Sequence, residues 1–391
     1  MEPKSWTEAR SQNRGRIWLI RAGLLVGGAV VGLALCELFL VVAGIPKYYK
    51  PHTFPAQFAF LRAQDGGRPV YVSVPSQTIR FVYDGNPRGY FGPENEIDQT
   101  TNSLGFRGPE FELSRTGDTF HSEKPPRTLR LLFLGDSFTF GEGVRFEDIY
   151  PEVTARLLRE HLSPHAPDIR SYDFGVGGYN TAAELYVLKH RGGFALGPDI
   201  VVVGYVLNDA EGPLFVANPF GMPIRQGPGV ESLAPPAEPP DDLLGQLRTV
   251  QLVRRFRADR QAARGIIDYY RGLYSDASPG WQESRRALQS IIKECVDRGI
   301  PCVVLIFPML LQLDEQYPFV EAHEKVRDAA DKAGASVIDL LPRLKGMPPE
   351  ELWVHPVDQH PNEKVHQIAA EALVESLLQQ NLLQPALKTM P

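Results

Sequence analysis

The chain has 391 residues, of which 43% are hydrophobic and 23% charged, with a formal net charge of −6. That length and apolar fraction suffice for a large buried core and exclude a disordered chain. The mildly acidic balance gives no electrostatic footprint for nucleic acid. Its 35 glycines and 34 prolines follow no period, which excludes collagen-like and solenoid architectures.

Ala22 to Ile45 is an apolar run of 24 residues whose single charge is Glu37. As a helix it is about 36 Å long, enough to cross a bilayer core. Lys4, Arg10, Arg14, Arg16 and Arg21 precede it. The excess of basic residues places residues 1–21 in the cytoplasm and the remainder outside, in the periplasm or beyond the cell. A cleaved signal peptide is the competing reading, because Val41-Val42-Ala43 resembles a cleavage site. The run is longer than the ~7–15 residues of a signal core, which favours an uncleaved single-pass anchor. Glu37 is costly in lipid, so it is expected to face a partner helix or lie at the outer interface.

Residues 46–128 form a loop-rich extension with short strands. From residue 129 the pattern becomes regular. Leu129–Leu134, Ile169–Phe174, Ile200–Tyr205, Cys302–Phe307 and Ser336–Asp339 read as strands. Pro151–Leu162, Thr181–Arg191, Ala287–Cys295, Val320–Ala333 and Asn362–Gln380 read as helices between and after them. Strands that are apolar throughout, alternating with helices, predict a three-layer α/β domain over 129–380 with a parallel sheet. Residues 210–280 interrupt it as an insertion, read as a cap or as a solvated helix without a role; 381–391 are a tail. Of three cysteines, too few for a disulfide framework, Cys36 lies in the apolar run. Cys295 and Cys302 are expected on a helix and the next strand, as buried thiols in preference to a bridge.

The chemistry-bearing residues fall at the carboxyl ends of those strands, where α/β sheets place their sites. Gly135-Asp136-Ser137 follows the first strand, Gly175 to Asn180 the second, and Asn208-Asp209 the third; Asp358 and His360 precede the last helix. A serine needs a base and the base needs an orienting carboxylate, roles open to Ser137, His360 and Asp358. Backbone N–H groups near Ser137 and Gly178, with the Asn208 amide, suit a developing oxyanion.

At these residues, and in their order, the chain resembles the SGNH/GDSL hydrolase superfamily over roughly 129–380. The resemblance implies a flavodoxin-like fold and a Ser137, His360, Asp358 site. It also implies an oxyanion hole of Ser137 N–H, Gly178 N–H and the Asn208 side chain. Two departures stand out: Asp358 is two residues before His360 where the family usually has three, and the Asn208 block is longer than usual. Asn102–Gly108 looks like a segment of membrane-anchored members. Arg107 within it reads as an exposed turn residue. Asp136 and Asp209 read as loop-holding hydrogen-bond acceptors.

Other readings compete. His355, Asp358, His360 and His366 crowd together, but without His-Glu-x-x-His spacing and with His366 expected on an outer helix face, so no metal is assigned. The glycines after the second strand do not complete a dinucleotide fingerprint, and no cofactor is assigned. The expected function is extracytoplasmic hydrolysis of an acetyl or other short acyl ester of a glycan or lipid, through an acyl-enzyme on Ser137. An O-acyltransferase acting on an envelope glycan, or a silent membrane-anchored scaffold of the same fold, are the alternatives. No protein partner is assigned.

Overall fold

The computed structural model describes residues 6–53, 58–60, 70–212, 215–217, 223–225 and 242–390. The chain divides into two units: residues 1–49 with 235–261, and residues 50–234 with 262–391.

The first unit holds the helix Trp6–Ala43. Its stretch Arg16–Ala43 contains an 18-residue window with a mean hydropathy of 2.5 that is almost entirely exposed, and the stretch is long and apolar enough to cross a membrane. Glu37 has a defined partner. Its carboxylate accepts from the backbone N–H groups of Arg248 (2.6 Å) and Thr249 (2.9 Å). These open the helix Arg248–Leu273, so Glu37 satisfies two donors that a helix start leaves free. Arg248 Nη1 also donates to the Pro46 carbonyl at 3.2 Å. Lys4 lies outside the described residues.

The second unit is built on five parallel strands: β1 (Thr128–Gly135), β2 (Asp168–Asp173), β3 (Ile200–Tyr205), β4 (Cys302–Ile306) and β5 (Ser336–Asp339). Their spatial order is β2-β1-β3-β4-β5. Every residue of β1, β3 and β4 is buried, as expected of strands covered on both faces. The flanking helices are α1 (Tyr150–Leu162), α2 (Thr181–His190), α3 (Pro279–Val296), α4 (Val320–Ala333) and α5 (Glu363–Gln379). Local chemistry starts them. Pro151 and Pro279 stand in first turns, where a missing N–H costs nothing. The side chains of Asn180, Ser278 and Asn362 accept from the first free N–H groups of α2, α3 and α5. Helix α1 packs with α5, and α3 packs with both α2 and α4. This is the expected three-layer, flavodoxin-like arrangement, with boundaries close to those read from periodicity except in α3, which begins at Pro279, ahead of the apolar face read from Ala287.

Register sets where the site forms. Gly135 pairs with Gly204 between β1 and β3, and Ile306 pairs with Tyr205 between β4 and β3. The chain therefore leaves β1 and β3 at the same edge, and these two strands flank the point where strand order reverses. Ligands of doubly wound sheets bind in the crevice there. Gly204 permits the close packing beneath it, because a Cβ would meet the Thr139 hydroxyl oxygen at 2.4 Å and the Tyr150 hydroxyl oxygen at 2.6 Å.

The extension is folded as well. Thr78–Val82 and Glu96–Thr100 form an antiparallel hairpin. Its inward side chains Ile79, Phe81 and Ile97 join Tyr83 and Phe91 in a small core with Phe140, Val144, Ile149 and Val354. Of the insertion, 213–214, 218–222 and 226–241 lie outside the described residues. The end of its helix and the turn after it are core, since Tyr270 and Tyr274 are each 3% exposed and Tyr274 packs near Trp281 of α3. Tyr274 Oη donates to the Leu207 carbonyl at 3.0 Å. Cys295 and Cys302 are buried free thiols.

Candidate active site

The first residues after β1 make a tight turn. Asp136 Oδ1 accepts from the Phe138 N–H at 2.8 Å and starts the helical turn Ser137–Phe140, which ends at Gly141 with φ +71°. The turn stands Ser137 at the sheet edge, next to the segment that precedes α5. His360 Nε2 lies 2.9 Å from Ser137 Oγ, and His360 Nδ1 lies 2.5 Å from Asp358 Oδ1. The three residues predicted to act together thus form one hydrogen-bonded chain. The short Asp358–His360 spacing is accommodated because Asp358–Pro361 is a strand, paired with Trp353–His355. Residues two apart on a strand point to one face, so the carboxylate and the imidazole share it.

Asn208 follows β3 in the helical turn Leu207–Ala210. Its amide Nδ2 donates to Asp136 Oδ2 at 2.7 Å, which fixes the amide and ties the β3 loop to the β1 loop. The second hydrogen of that nitrogen stays available. Asp209 Oδ2 accepts from the Val206 N–H at 2.8 Å, the loop-holding role expected of it. Gly178 has φ +77°, a conformation that favours glycine, in the turn closed by Tyr179 N–H to the Val176 carbonyl.

The electrostatics favour a charged pair. Burial works to raise the Asp358 carboxyl, but His360 and the hydrogen bond from Tyr83 hold it well below the usual carboxylate range. Burial works to lower His360, yet Glu142, Asp358 and Asp136 outweigh it and push the imidazole up to about 10. Asp136 itself is raised by burial, against the hydrogen bonds from Asn208 and Phe138.

Four residues differ from their sequence expectations or were missed. Arg107 is 1% exposed, not an exposed turn residue. Its guanidinium donates to the carbonyls of Phe140, Gly141 (2.6 Å) and Val144, and so braces the loop that follows the nucleophile turn. Flanking Phe106, 0% exposed, was the signal that this turn is buried. His366 is wholly buried in α5 and its Nδ1 accepts from the Tyr150 N–H at 3.1 Å; the outer-face assignment fails because α5 packs on α1 through it. Burial lowers that imidazole to about 3. Tyr83 Oη donates to Asp358 Oδ2 at 2.7 Å, a contact across 275 positions that no local pattern announces. Glu142, between Gly141 and Gly143, places Oε2 3.8 Å from His360 Nε2. Among the described residues no three His, Cys, Asp or Glu groups converge as a metal site.

Solved structures similar to the chain include a two-domain esterase active on acetylated mannans, at 13% identity, over 64% of this chain and 49% of that one, with a TM-score of 0.39. The chain thus spans about half the length of that esterase. Axe2, an acetylxylan esterase from Geobacillus stearothermophilus, is 19% identical over 64% of this chain and 94% of its own, with a TM-score of 0.38. TesA is 15% identical over 64% of this chain and 98% of its own, with a TM-score of 0.37. No curated protein matches the chain. The profile of the GDSL-like lipase/acylhydrolase family matches residues 133–368, more than half of the sequence, from within β1 into α5, and includes Ser137, Asp358 and His360. The protein belongs to the GDSL-like lipase/acylhydrolase family.

Proposed function

We propose that the protein is a membrane-anchored serine esterase whose catalytic unit works outside the cytoplasm. The observation that carries this reading is the continuous chain from Ser137 Oγ through His360 to Asp358, at 2.9 and 2.5 Å. Ser137 Oγ attacks the ester carbonyl carbon while His360 Nε2 takes its proton. Asp358 stabilises the imidazolium and holds its tautomer. The oxyanion receives hydrogen bonds from the Ser137 and Gly178 N–H groups and the free hydrogen on Asn208 Nδ2. His360 then returns the proton to the departing alcohol, and water, activated by the same imidazole, releases the acid from Ser137. The anchor reading rests on the apolar helix Arg16–Ala43 behind a basic flank, and favours an acetylated or otherwise acylated envelope ester as substrate.

The test is turnover. Purified full-length protein in detergent hydrolyses p-nitrophenyl acetate and short-chain esters, and Ser137→Ala removes this activity while the protein stays folded. Equal activity in folded Ser137→Ala ends the serine-esterase reading.

A further inference from the structure

Glu142 is a carboxylate that the triad chemistry does not require. It sits two residues past the nucleophile turn, with its backbone N–H donating to the Ser137 carbonyl at 3.1 Å. Its side chain is 14% exposed, so it is largely desolvated but not sealed from solvent. Oε2 stands 3.8 Å from His360 Nε2, the ring nitrogen that handles the reacting proton. A Cβ built on Gly177 would lie 3.6 Å from this oxygen and 4.0 Å from Ser137 Cβ. Gly177 therefore leaves a gap the size of a methyl group between the Glu142 carboxylate and the nucleophile.

We propose that Glu142 and the gap above Gly177 form a subsite for hydroxyl groups on the alcohol portion of the ester, which makes the substrate an acylated polyol or glycan. The inference rests on the serine-esterase reading and names the substrate class of that site. An apolar alcohol or acyl chain placed against this carboxylate would strip its remaining water without replacing the hydrogen bonds, a costly exchange. A cationic group would be matched in charge, but it would oppose formation of the imidazolium, whose Nε2 lies 3.8 Å from the same carboxylate oxygen. A neutral hydroxyl donates to the carboxylate and leaves the imidazolium unopposed. Charge-assisted hydrogen bonds of this kind are about twice as strong as neutral ones.

Glycerol monoacetate and propyl acetate share the acetyl group and the three-carbon skeleton and differ in two hydroxyls. The readout is the ratio of their kcat/KM values, with p-nitrophenyl acetate turnover, lost in Ser137→Ala, as the separate check on the esterase reading. In Glu142→Leu the ratio falls about tenfold or more. Gly177→Ala, whose methyl fills the gap at ordinary contact distance, lowers the ratio in the same direction while leaving the carboxylate in place. Wild-type protein that cleaves p-nitrophenyl acetate but does not prefer glycerol monoacetate overturns the subsite and leaves the esterase reading standing. So does a Glu142→Leu protein in which both esters fall by the same factor, because Glu142 then acts only through the charge on His360.

Discussion

Two regions of the catalytic unit meet at the same loops. The sheet edge supplies Ser137, Asn208 and the His360 segment, all within a few residues of β1, β3 and α5. The extension over residues 70–128 supplies Tyr83, Gln99 and Arg107, which reach those loops from outside. Tyr83 holds Asp358, Gln99 Nε2 donates to the Gly141 carbonyl at 2.8 Å, and Arg107 spans three carbonyls of the nucleophile loop. The first set presents atoms that can react. The second set holds backbone and carboxylate groups that would otherwise be free to move or left without partners. The difference teaches that chemistry and rigidity have separate sources here, so they are separable by mutation.

The largest effects belong to the sheet edge. His360→Ala lowers kcat on the order of 10⁴–10⁶-fold, and adding Ser137→Ala to it costs little more, because residues that act as one unit are not additive. Asn208→Ala lowers kcat roughly 10²–10³-fold, the loss of one oxyanion donor. Circular dichroism melts of both variants stay cooperative, although each change removes a partner of a buried carboxylate, Asp358 or Asp136. A melt that collapses in either would erase the proposed division of labour.

The extension responds differently. Arg107→Met keeps the buried stem and takes the guanidinium donor from the Phe140 carbonyl, at about 1–3 kcal/mol, while the Gly141 and Val144 carbonyls keep Gln99 Nε2 as a donor. Folding stability falls by about 1–3 kcal/mol, and the melting temperature by roughly 2–12 °C. Turnover falls with it, since the same loop carries Ser137. A variant with wild-type melting but no turnover would place Arg107 with the reacting groups instead.

The contrast also explains what was legible in the sequence. Strands β1, β3 and β4 announce themselves because a strand buried on both faces is largely apolar, with the buried Arg130 of β1 as the charged exception. Ser137, Asn208 and His360 follow, because each stands at a strand or helix boundary that periodicity locates. Asp358 was the weak member on spacing, and a short strand brings it onto the face of His360. Arg107 and Tyr83 were not legible in their roles. Their partners lie 33 to 37 and 275 positions away, and charge at position 107 suggests exposure unless its carbonyl partners are known. Glu142 carried only the hint of a charged residue between two glycines. His366 was misplaced because a histidine in a helix has no intrinsic side; packing of α5 on α1 decided it.

The last prediction concerns pH. The folded His360 is raised to about 10 by Glu142, Asp358 and Asp136, working against burial, while an unfolded histidine titrates near 6.5. Its contribution to stability is therefore complete below about pH 6.5 and is lost as pH rises through about 10. Activity runs the other way, because only neutral imidazole accepts the Ser137 proton. A plot of kcat/KM against pH should climb through neutrality toward an alkaline plateau, and in Glu142→Gln the rise should move to lower pH. A profile already flat from pH 6 would mean that these carboxylates do not hold a proton on His360.

The central claim is that His360 activates Ser137 as a nucleophile. A fluorophosphonate probe reports this directly, with intact-mass and peptide mass spectrometry on full-length protein. The account predicts one adduct per chain, located on Ser137, absent in Ser137→Ala and strongly slowed in His360→Ala. An unmodified Ser137 in folded wild-type protein, or equal labelling rates in wild type and His360→Ala, would contradict it.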